Sequence, residues 1–304
     1  MLDETAKGVF TIAATPFLPD GALDIESVDR MVDFYAEQGA TGLTILGMMG
    51  EAGKLTSTES IEIIKRVTAR TMLPIVVGVS SPGFAAMGAL ANEAMAAGAA
   101  GVMVAPTGGL RSDDQITGYY HNVANTLGDI PFVLQDFPLV TGVTIPSKVI
   151  LKVVEDCPTC VMLKHEDWPG LEKISALRTA SDAGARRISI LCGNGGLFLP
   201  EEMGRGADGA MTGFAFPEMM AGVVEKMSAG NAAGAQDLFS AYLPMVRYEN
   251  QPGLGLVIRK YVLAKRGAIA HATLRSPGPK LSTLAIAEIE NLLDRQTRAL
   301  ERLA

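Results

Sequence analysis

Residues 39–47, GATGLTILG, join the end of a helix to a buried strand. The first glycine can adopt the left-handed conformation that ends many helices, and the second lets the backbone turn tightly into the apolar run. The same joint recurs as GAAG before VMVAP at residues 98–106 and as GADG before AMTG at residues 206–213. Three copies of one joint predict a chain built from repeated βα units.

Apolar, β-branched segments alternate with segments of helical periodicity along the first 215 residues. Strands that are apolar throughout are typical of parallel sheets covered by helices. Eight such strands predict an α/β fold, a parallel (β/α)8 TIM barrel. A doubly wound open sheet is the alternative, but no GxGxxG motif follows the first strand. The predicted strands cover residues 8–17, 43–47, 74–80, 102–106, 131–138, 160–166, 187–193 and 209–213.

The pattern from Pro217 onward is helical only. We therefore divide the chain into a catalytic barrel over residues 1–215 and a C-terminal helical region over residues 216–304. The apolar faces of the later helices can pack on the barrel or form a subunit interface. These helices are predicted over residues 218–226, 233–245, 254–265 and 284–300.

The composition favours small-molecule chemistry. The 304 residues are 48% hydrophobic and 19% charged, which allows a substantial core. The net charge of -7 provides no basic surface for nucleic acid or an anionic membrane, so we expect neither partner. The first residues carry no signal-peptide pattern and no apolar run suits a membrane span, which predicts a cytoplasmic protein.

Three cysteines, Cys157, Cys160 and Cys192, cannot all pair within one chain and do not indicate a disulfide framework. Cys157 and Cys160 form a CxxC motif, but a zinc site needs about four ligands, and the three histidines are scattered. We therefore predict no metal site and interpret the two cysteines of the motif as small buried residues.

Residues 161–166, VMLKHE, place Lys164 inside an apolar strand. Burial disfavours the ammonium form of a lysine, so a buried lysine amine is a usable nucleophile near neutral pH. Reactive groups of a TIM barrel lie at the C-terminal ends of its strands, and Lys164 is the only amine near a predicted end. The alternative is a lysine whose ammonium group reaches water along its methylene stem.

Residues 47–51, GMMGE, follow the second predicted strand. A tight turn there would present several backbone N–H groups, those of Gly47, Met48 and Met49 among them, to a substrate carboxylate. The alternative is an ordinary glycine-containing loop. Glu51 is interpreted as a carboxylate that fixes this loop.

Strand alternation places Gln135, Lys164 and Glu166 on the inner face of the barrel and His165 toward the helices. Gln135 cannot act as a base, but its amide can hydrogen-bond a sugar-acid hydroxyl or order a water. Glu166 is a candidate acid or base. The alternative for Glu166 is a carboxylate at the barrel rim that pairs with a loop cation, and His165 is interpreted as a hydrogen-bonding residue behind the site.

With GMMGE at the second strand, LKHE at the sixth and a helical C-terminal region, the chain resembles the dihydrodipicolinate synthase and N-acetylneuraminate lyase family along essentially its whole length. The resemblance implies a barrel in which the sixth-strand lysine, Lys164 here, forms an imine with a 2-keto acid. It also implies that Gly193, Met211 and Thr212 line the keto-acid pocket. No cofactor is expected, and the implied assembly is a homo-oligomer, a tetramer or a dimer.

The chain departs from the family pattern at several positions of the site. Met48 and Met49 stand where the family has hydroxyl residues, and Gln135 stands where it has a tyrosine. Val140 replaces the arginine that binds the aldehyde carboxylate in dihydrodipicolinate synthases. The fifth-strand residues 135–138, QDFP, instead resemble the branch that includes L-2-keto-3-deoxyarabonate dehydratase.

The main hypothesis is a Schiff-base-forming lyase, a dehydratase or aldolase of a 2-keto-3-deoxy sugar acid, with Lys164 and Gln135 as catalytic residues. The first alternative is pyruvate-dependent aldol addition, as in dihydrodipicolinate synthase. A second is a keto-acid-binding protein with a decayed site. A third is a phosphorylated sugar bound at residues 193–196, GNGG, near the usual phosphate site of such barrels.

Overall fold

The computed structural model describes residues 1–303 and contains, within them, eight parallel strands that form a closed barrel in chain order. The predicted TIM barrel is confirmed. The strands are β1 (Gly8–Ile12), β2 (Gly42–Ile45), β3 (Ile75–Gly78), β4 (Gly101–Val104), β5 (Phe132–Asp136), β6 (Cys160–His165), β7 (Ser189–Cys192) and β8 (Gly209–Ala210).

Capping residues in the local sequence determine where several helices begin and end. Thr56 and Glu59 form a capping box at the start of α2, and Ser112 forms a second one with Gln115 at the start of α4. α4 ends at Gly128, whose φ of 60° suits glycine. The helices are α1 (Ile25–Glu37), α2 (Ser57–Arg70), α3 (Phe84–Ala96), α4 (Asp113–Leu127), α5 (Pro138–Thr141), α6 (Ser147–Asp156), α7 (Leu171–Asp182), α8 (Leu199–Gly204), α9 (Pro217–Ser228), α10 (Ala232–Glu249), α11 (Gly255–Lys265) and α12 (Thr283–Glu301).

All eight strands are shorter than predicted, and β1 and β8 are at most half as long as predicted. β1 ends at Ile12 and β8 at Ala210, although the next residue in each case still makes one backbone hydrogen bond to a neighbouring strand. The N–H of Ala13 donates to the carbonyl oxygen of Thr44, and that of Met211 donates to the carbonyl oxygen of Cys192. β5 ends at Asp136, because Pro138 opens the one-turn helix α5, which the sequence did not predict. Proline is favourable in the first turn of a helix, where its missing N–H is not needed.

Apolar side chains fill the barrel interior, and Leu2 closes its lower end. Leu2 is 6% exposed, and its N–H donates to the carbonyl oxygen of Ala100 at 2.8 Å. Groups inside the barrel are therefore approached from the C-terminal ends of the strands. The inner cluster consists of Leu2, Phe10, Ile12, Val76, Met103, Val133, Val161, Met162, Leu191 and Met211.

A β-bulge in β6 sets the register beside the predicted lysine. Between Phe132 and Val133 of β5 the pairing partner advances from residue 160 to residue 162 of β6. The extra residue is Val161, which also faces the inner cluster. Beyond the bulge Gln135 pairs with Lys164, so these two side chains lie next to each other on the inner face.

The C-terminal region packs along one side of the barrel. α9 contacts β1 and β8 and so takes the place of the eighth barrel helix, while α10 packs against α9 and α12. The division at residues 215/216 stays a prediction, and the packing of α9 favours a boundary after this helix. Ala304, in the predicted C-terminal region, lies outside the described residues. None of the helices within residues 1–303 combines the length and hydrophobicity that a membrane-spanning segment needs.

Candidate active site

Lys164 lies near the upper end of β6 with its side chain inside the barrel. The residue is 5% exposed, and its Nζ is 2.9 Å from Oε2 of Glu166. The alternative of an ammonium group that reaches water is therefore wrong. The structure places a buried amine beside a buried carboxylate, one inner position above the apolar Met162.

Glu166 contacts both predicted catalytic residues. The oxygen that lies beside Lys164 also accepts a hydrogen bond from Nε2 of Gln135 at 2.6 Å. Glu166 is 5% exposed. The alternative of a rim carboxylate paired with a loop cation is wrong, because its partners are an amine and an amide from the inner faces of β5 and β6.

Gly193, just after β7, provides the space for Glu166. A Cβ atom at this position would overlap the Cγ, Cδ and Oε1 atoms of Glu166. The φ of Gly193 is -104°, which other residues also adopt. Side-chain volume therefore requires glycine here, and the predicted pocket residue Gly193 contacts the carboxylate of the site.

Two asparagines hold the loop after β7 against β6. Nδ2 of Asn194 donates to the carbonyl oxygen of Glu166 at 3.2 Å, and Nδ2 of Asn250 donates to that of Asn194 at 2.6 Å. Asn194 has a φ of 50°, a conformation that asparagine tolerates better than most residues. Because Asn250 follows the last turn of α10, the C-terminal region helps to position Glu166.

The β2 turn, residues 47–51, forms one turn of 3₁₀-helix at the barrel mouth. Within the described residues, the N–H groups of Met48 and Met49 donate to no other group. The side chain of Met48 is exposed, whereas that of Met49 packs against the inner cluster. Two adjacent free N–H groups in a tight turn can bind a carboxylate without help from side chains.

Met211 and Thr212 follow β8 and are engaged with β7. Met211 belongs to the inner cluster, and its N–H donates to the carbonyl oxygen of Cys192 at 2.8 Å. The Thr212 hydroxyl accepts the N–H of Gly195 at 2.8 Å. The contact of these two residues with a keto acid stays a prediction.

Residues 193–196 do not offer a phosphate site. Three of the four backbone N–H groups donate within the chain, so the phosphate alternative lacks the free donors it requires. These bonds run from Gly193 to His165 O, from Gly195 to Thr212 Oγ1 and from Gly196 to Gly193 O.

A second polar cluster lies behind the site, between the barrel and the helices. Nζ of Lys173 is 2.7 Å from Oδ2 of Asp136 and 2.5 Å from Oδ2 of Asp167. Burial raises the pKa of Asp136 to about 6, and Lys173 opposes this shift. Burial and the charge of Lys173 lower the pKa of His165 to about 4, so this histidine is neutral at pH 7. His165 faces the helices, as predicted.

The tyrosines are remote from the inner face of the barrel. All six lie on α1, α4, α10 and α11. The group beside the buried amine is therefore a carboxylate–amide pair, Glu166 with Gln135. This pair can accept a proton from the amine and return it, which a neutral amide alone cannot do.

The three cysteines are buried and free. Within residues 1–303, no three histidine, cysteine, aspartate or glutamate side chains converge in a way that could hold a metal ion.

Comparison with known proteins identifies the family. A sequence profile of the Dihydrodipicolinate synthetase family matches residues 5–296. The chain belongs to the dihydrodipicolinate synthetase family. Members of this family are class I lyases that form a Schiff base between a lysine and a keto acid, and this chain is accordingly an enzyme of that class. Membership of this enzyme class argues against the alternative of a keto-acid-binding protein without activity.

Relatives in the family carry two different names. The chain is 28% identical over 298 residues to an L-2-keto-3-deoxyarabonate dehydratase of Azospirillum brasilense, which covers 93% of this chain and 92% of the relative. It is 29% identical over 296 residues to a 4-hydroxy-tetrahydrodipicolinate synthase of Chlorobium luteolum, with 95% and 96% covered. A crystal structure named dihydrodipicolinate synthase from Rhodopseudomonas palustris superposes with a TM-score of 0.95 at 52% identity, with 97% and 99% covered.

Sequence reasoning missed the residues that reach the site from the C-terminal region. Asn250 and Lys260 lie on or next to α10 and α11 and contact the loops after β7 and β2. One signal was available, since Arg259 and Lys260 interrupt an otherwise apolar helix. Buried charges of this kind need partners, but the sequence does not name them.

Proposed function

We propose that the enzyme is a dehydratase of a 2-keto-3-deoxy sugar acid. The observation that carries the proposal is the buried contact of Glu166 with both Lys164 Nζ and Gln135 Nε2. Elimination of water needs a group that takes a proton from C3 and delivers one to the C4 hydroxyl. Glu166 is suited to both tasks. A relative of the chain, from Azospirillum brasilense, is named as a dehydratase.

The proposed reaction begins at the β2 turn. The N–H groups of Met48 and Met49 bind the C1 carboxylate, which directs the C2 carbonyl toward Lys164. The ammonium group of Lys164 first passes a proton to Glu166, 2.9 Å away. The neutral amine attacks C2, and Glu166 returns the proton as the carbinolamine loses water, which leaves a protonated imine.

The imine then serves as the electron sink for dehydration. The Glu166 carboxylate removes a proton from C3, and the imine becomes an enamine. The same proton is delivered to the C4 hydroxyl, which leaves as water while the conjugated imine forms. Hydrolysis consumes one water and frees Lys164, so the net change is loss of one water from the sugar acid. Gln135 holds the Glu166 oxygen and can contact the C4 hydroxyl.

Borohydride trapping tests the imine. The protein is reduced in the presence of pyruvate and then of a 2-keto-3-deoxypentonate, and the adduct is located by intact mass and peptide mapping. We expect it on Lys164 and expect none in Lys164→Ala. An unmodified Lys164 in folded protein would overturn the proposal.

Glu166→Gln tests the dehydration step. We expect this variant to form the pyruvate adduct more slowly than wild type, because Glu166 also relays the proton of Lys164, but to reach full modification on long incubation. It should dehydrate the sugar acid about 10²–10⁴-fold more slowly, the range typical of a lost general acid–base. Glu172→Gln is the matched control, because Glu172 is an exposed carboxylate on α7. Dehydration by Glu166→Gln at the wild-type rate would exclude Glu166 from the reaction.

Pyruvate-dependent aldol addition is the second candidate. It is favoured by the name of the Rhodopseudomonas palustris structure, dihydrodipicolinate synthase, at 52% identity. Aldol addition also proceeds through an imine on Lys164, but it forms a carbon–carbon bond, whereas dehydration breaks a carbon–oxygen bond. Consumption of pyruvate together with an aldehyde, without loss of water from the sugar acid, would establish it instead.

We also propose that the enzyme works in the cytoplasm as a homo-oligomer, a dimer or a tetramer. Enzymes of the family are typically oligomeric. Sedimentation equilibrium distinguishes these states from a monomer of 32.0 kDa.

A further inference from the structure

Glu51 ends the β2 turn as a buried carboxylate with several partners. It is 5% exposed, and its φ of 54° lies in the left-handed region. Its N–H donates to the carbonyl oxygen of Met48 at 3.1 Å. Its Oε2 is 2.8 Å from Nζ of Lys54 and accepts the N–H of Arg275 at 3.1 Å. The conformation of the turn therefore depends on what holds this side chain.

The remaining Glu51 oxygen is held by Lys260 of α11. Nζ of Lys260 is 2.6 Å from Oε1 of Glu51, donates to the carbonyl oxygen of Thr273 at 2.8 Å, and lies 4.5 Å from the ring centroid of Phe17. Lys260 is fully buried. Burial lowers the pKa of Lys260, and the hydrogen bond to Glu51 opposes this shift. Burying an ammonium charge away from water destabilises the folded protein unless a carboxylate pairs with it.

Arg275 ties the same turn to the connector between α11 and α12, residues 266–282. Its guanidinium donates to both carboxylate oxygens of Glu59 and to the carbonyl oxygens of Gly21 and Lys54. The β2 turn is thus held by α11 and by this connector, both far along the chain.

We infer that Lys260 is a positioning residue for keto-acid binding: through Glu51 it fixes the β2 turn so that the N–H groups of Met48 and Met49 converge on the substrate carboxylate. This inference rests on the proposed function, since the turn matters only if it binds that carboxylate. The C-terminal region is then part of the binding site although none of its residues need touch the substrate.

Lys260→Met is the central test, because methionine keeps much of the side-chain volume and removes the charge. Pyruvate is titrated, each sample is reduced with borohydride, and the fraction carrying the adduct is read by intact mass. We expect the half-saturating pyruvate concentration to rise about tenfold or more, while the adduct at saturation reaches the wild-type level. If Lys260 has a purely structural role, Lys260→Met will lower the melting temperature and leave the half-saturating pyruvate concentration unchanged. That result would overturn the inference.

A double variant addresses the possibility that Lys260→Met does not fold. Glu51→Gln combined with Lys260→Met leaves no buried unpaired charge, so it should recover stability and yet keep the raised half-saturating concentration. Wild-type pyruvate binding in the folded double variant would equally overturn the inference.

Arg178→Met is the matched control. It breaks a partly buried ion pair with Asp208, 2.5 Å long, at the opposite end of the barrel. It should cost stability without changing the half-saturating pyruvate concentration. Failure of the wild type to form any adduct would refute the proposed function, whereas an adduct whose titration is insensitive to Lys260 would refute only the present inference.

Discussion

At the scale of single residues, Gly193 shows how one missing side chain shapes the site. Gly193→Ala would place a methyl group on the carboxylate of Glu166, which must then move away from Lys164 and Gln135. We expect dehydration to fall by at least about 10²-fold, as for removal of the acid–base group, while the pyruvate adduct forms more slowly but still reaches full modification on long incubation. Product analysis by mass spectrometry and borohydride trapping measure the two effects separately.

The control for this prediction is Gly118→Ala in α4. No atom lies near its Cβ position, so alanine should leave activity unchanged and stabilise the helix by about 0.5–1 kcal/mol. Equal activity in Gly193→Ala and wild type would show that Glu166 has room to adapt.

At the scale of elements, an ion pair joins the C-terminal helices to the loop after β8. Nε of Arg259 lies 2.6 Å from Oε1 of Glu249, and both residues are buried. Arg259 also donates to the carbonyl oxygen of Gly213, and Glu249 accepts the N–H of Ala215. Arg259→Leu should destabilise the protein by about 3–5 kcal/mol, since it leaves the Glu249 carboxylate buried and unpaired. Urea unfolding measures this change.

Two further variants test whether the unpaired charge causes the loss of stability in Arg259→Leu. Glu249→Gln combined with Arg259→Leu should recover part of the lost stability, because no unpaired charge remains. Arg66→Leu removes an exposed arginine paired with Asp29 between α1 and α2 and should change stability little. A double variant no more stable than Arg259→Leu would mean that packing, and not charge, is responsible.

The elements also show what sequence could predict. The four helices of the C-terminal region were predicted from their periodicity and are observed within four residues of the predicted bounds, because this periodicity is a local signal. The bulge at Val161 was not predicted, since it arises from the fit of β6 against β5. Lys260 was missed because Glu51, its partner, is 209 residues away in the chain. Local sequence thus predicted the strands, the helices and the position of Lys164 on an inner strand face. The partners of Glu166 and Glu51 could not be predicted, because they depend on tertiary packing.

At the scale of the whole molecule, one buried acid makes stability depend on pH. Burial raises the pKa of Glu202 in α8 to about 8, and the neighbouring Cys192 thiol opposes this shift. The folded state therefore holds a proton that the unfolded state releases near pH 4.5. The stabilisation is fully present below pH 4.5 and is lost as pH rises toward about 8, at about 1.4 kcal/mol per pH unit for this group alone.

Glu202→Gln isolates this contribution. Glutamine resembles the protonated acid and does not titrate, so the variant should match wild type near pH 4.5 and become progressively more stable than wild type up to about pH 8. The difference in the free energy of unfolding between the two proteins, followed by urea titration across this range, removes the contributions of all other groups. A constant difference would show that Glu202 is ionised in the folded protein at neutral pH.

The side chain of Leu2 and the apolar cluster above it close the lower end of the barrel, so the site opens only at the C-terminal ends of the strands. The keto-acid substrate, the product and every water exchanged in the cycle must share this one passage. An occupied entrance therefore blocks departure as well as arrival. Compounds that only cover the mouth should slow the release of product already formed, so their inhibition will persist at saturating substrate.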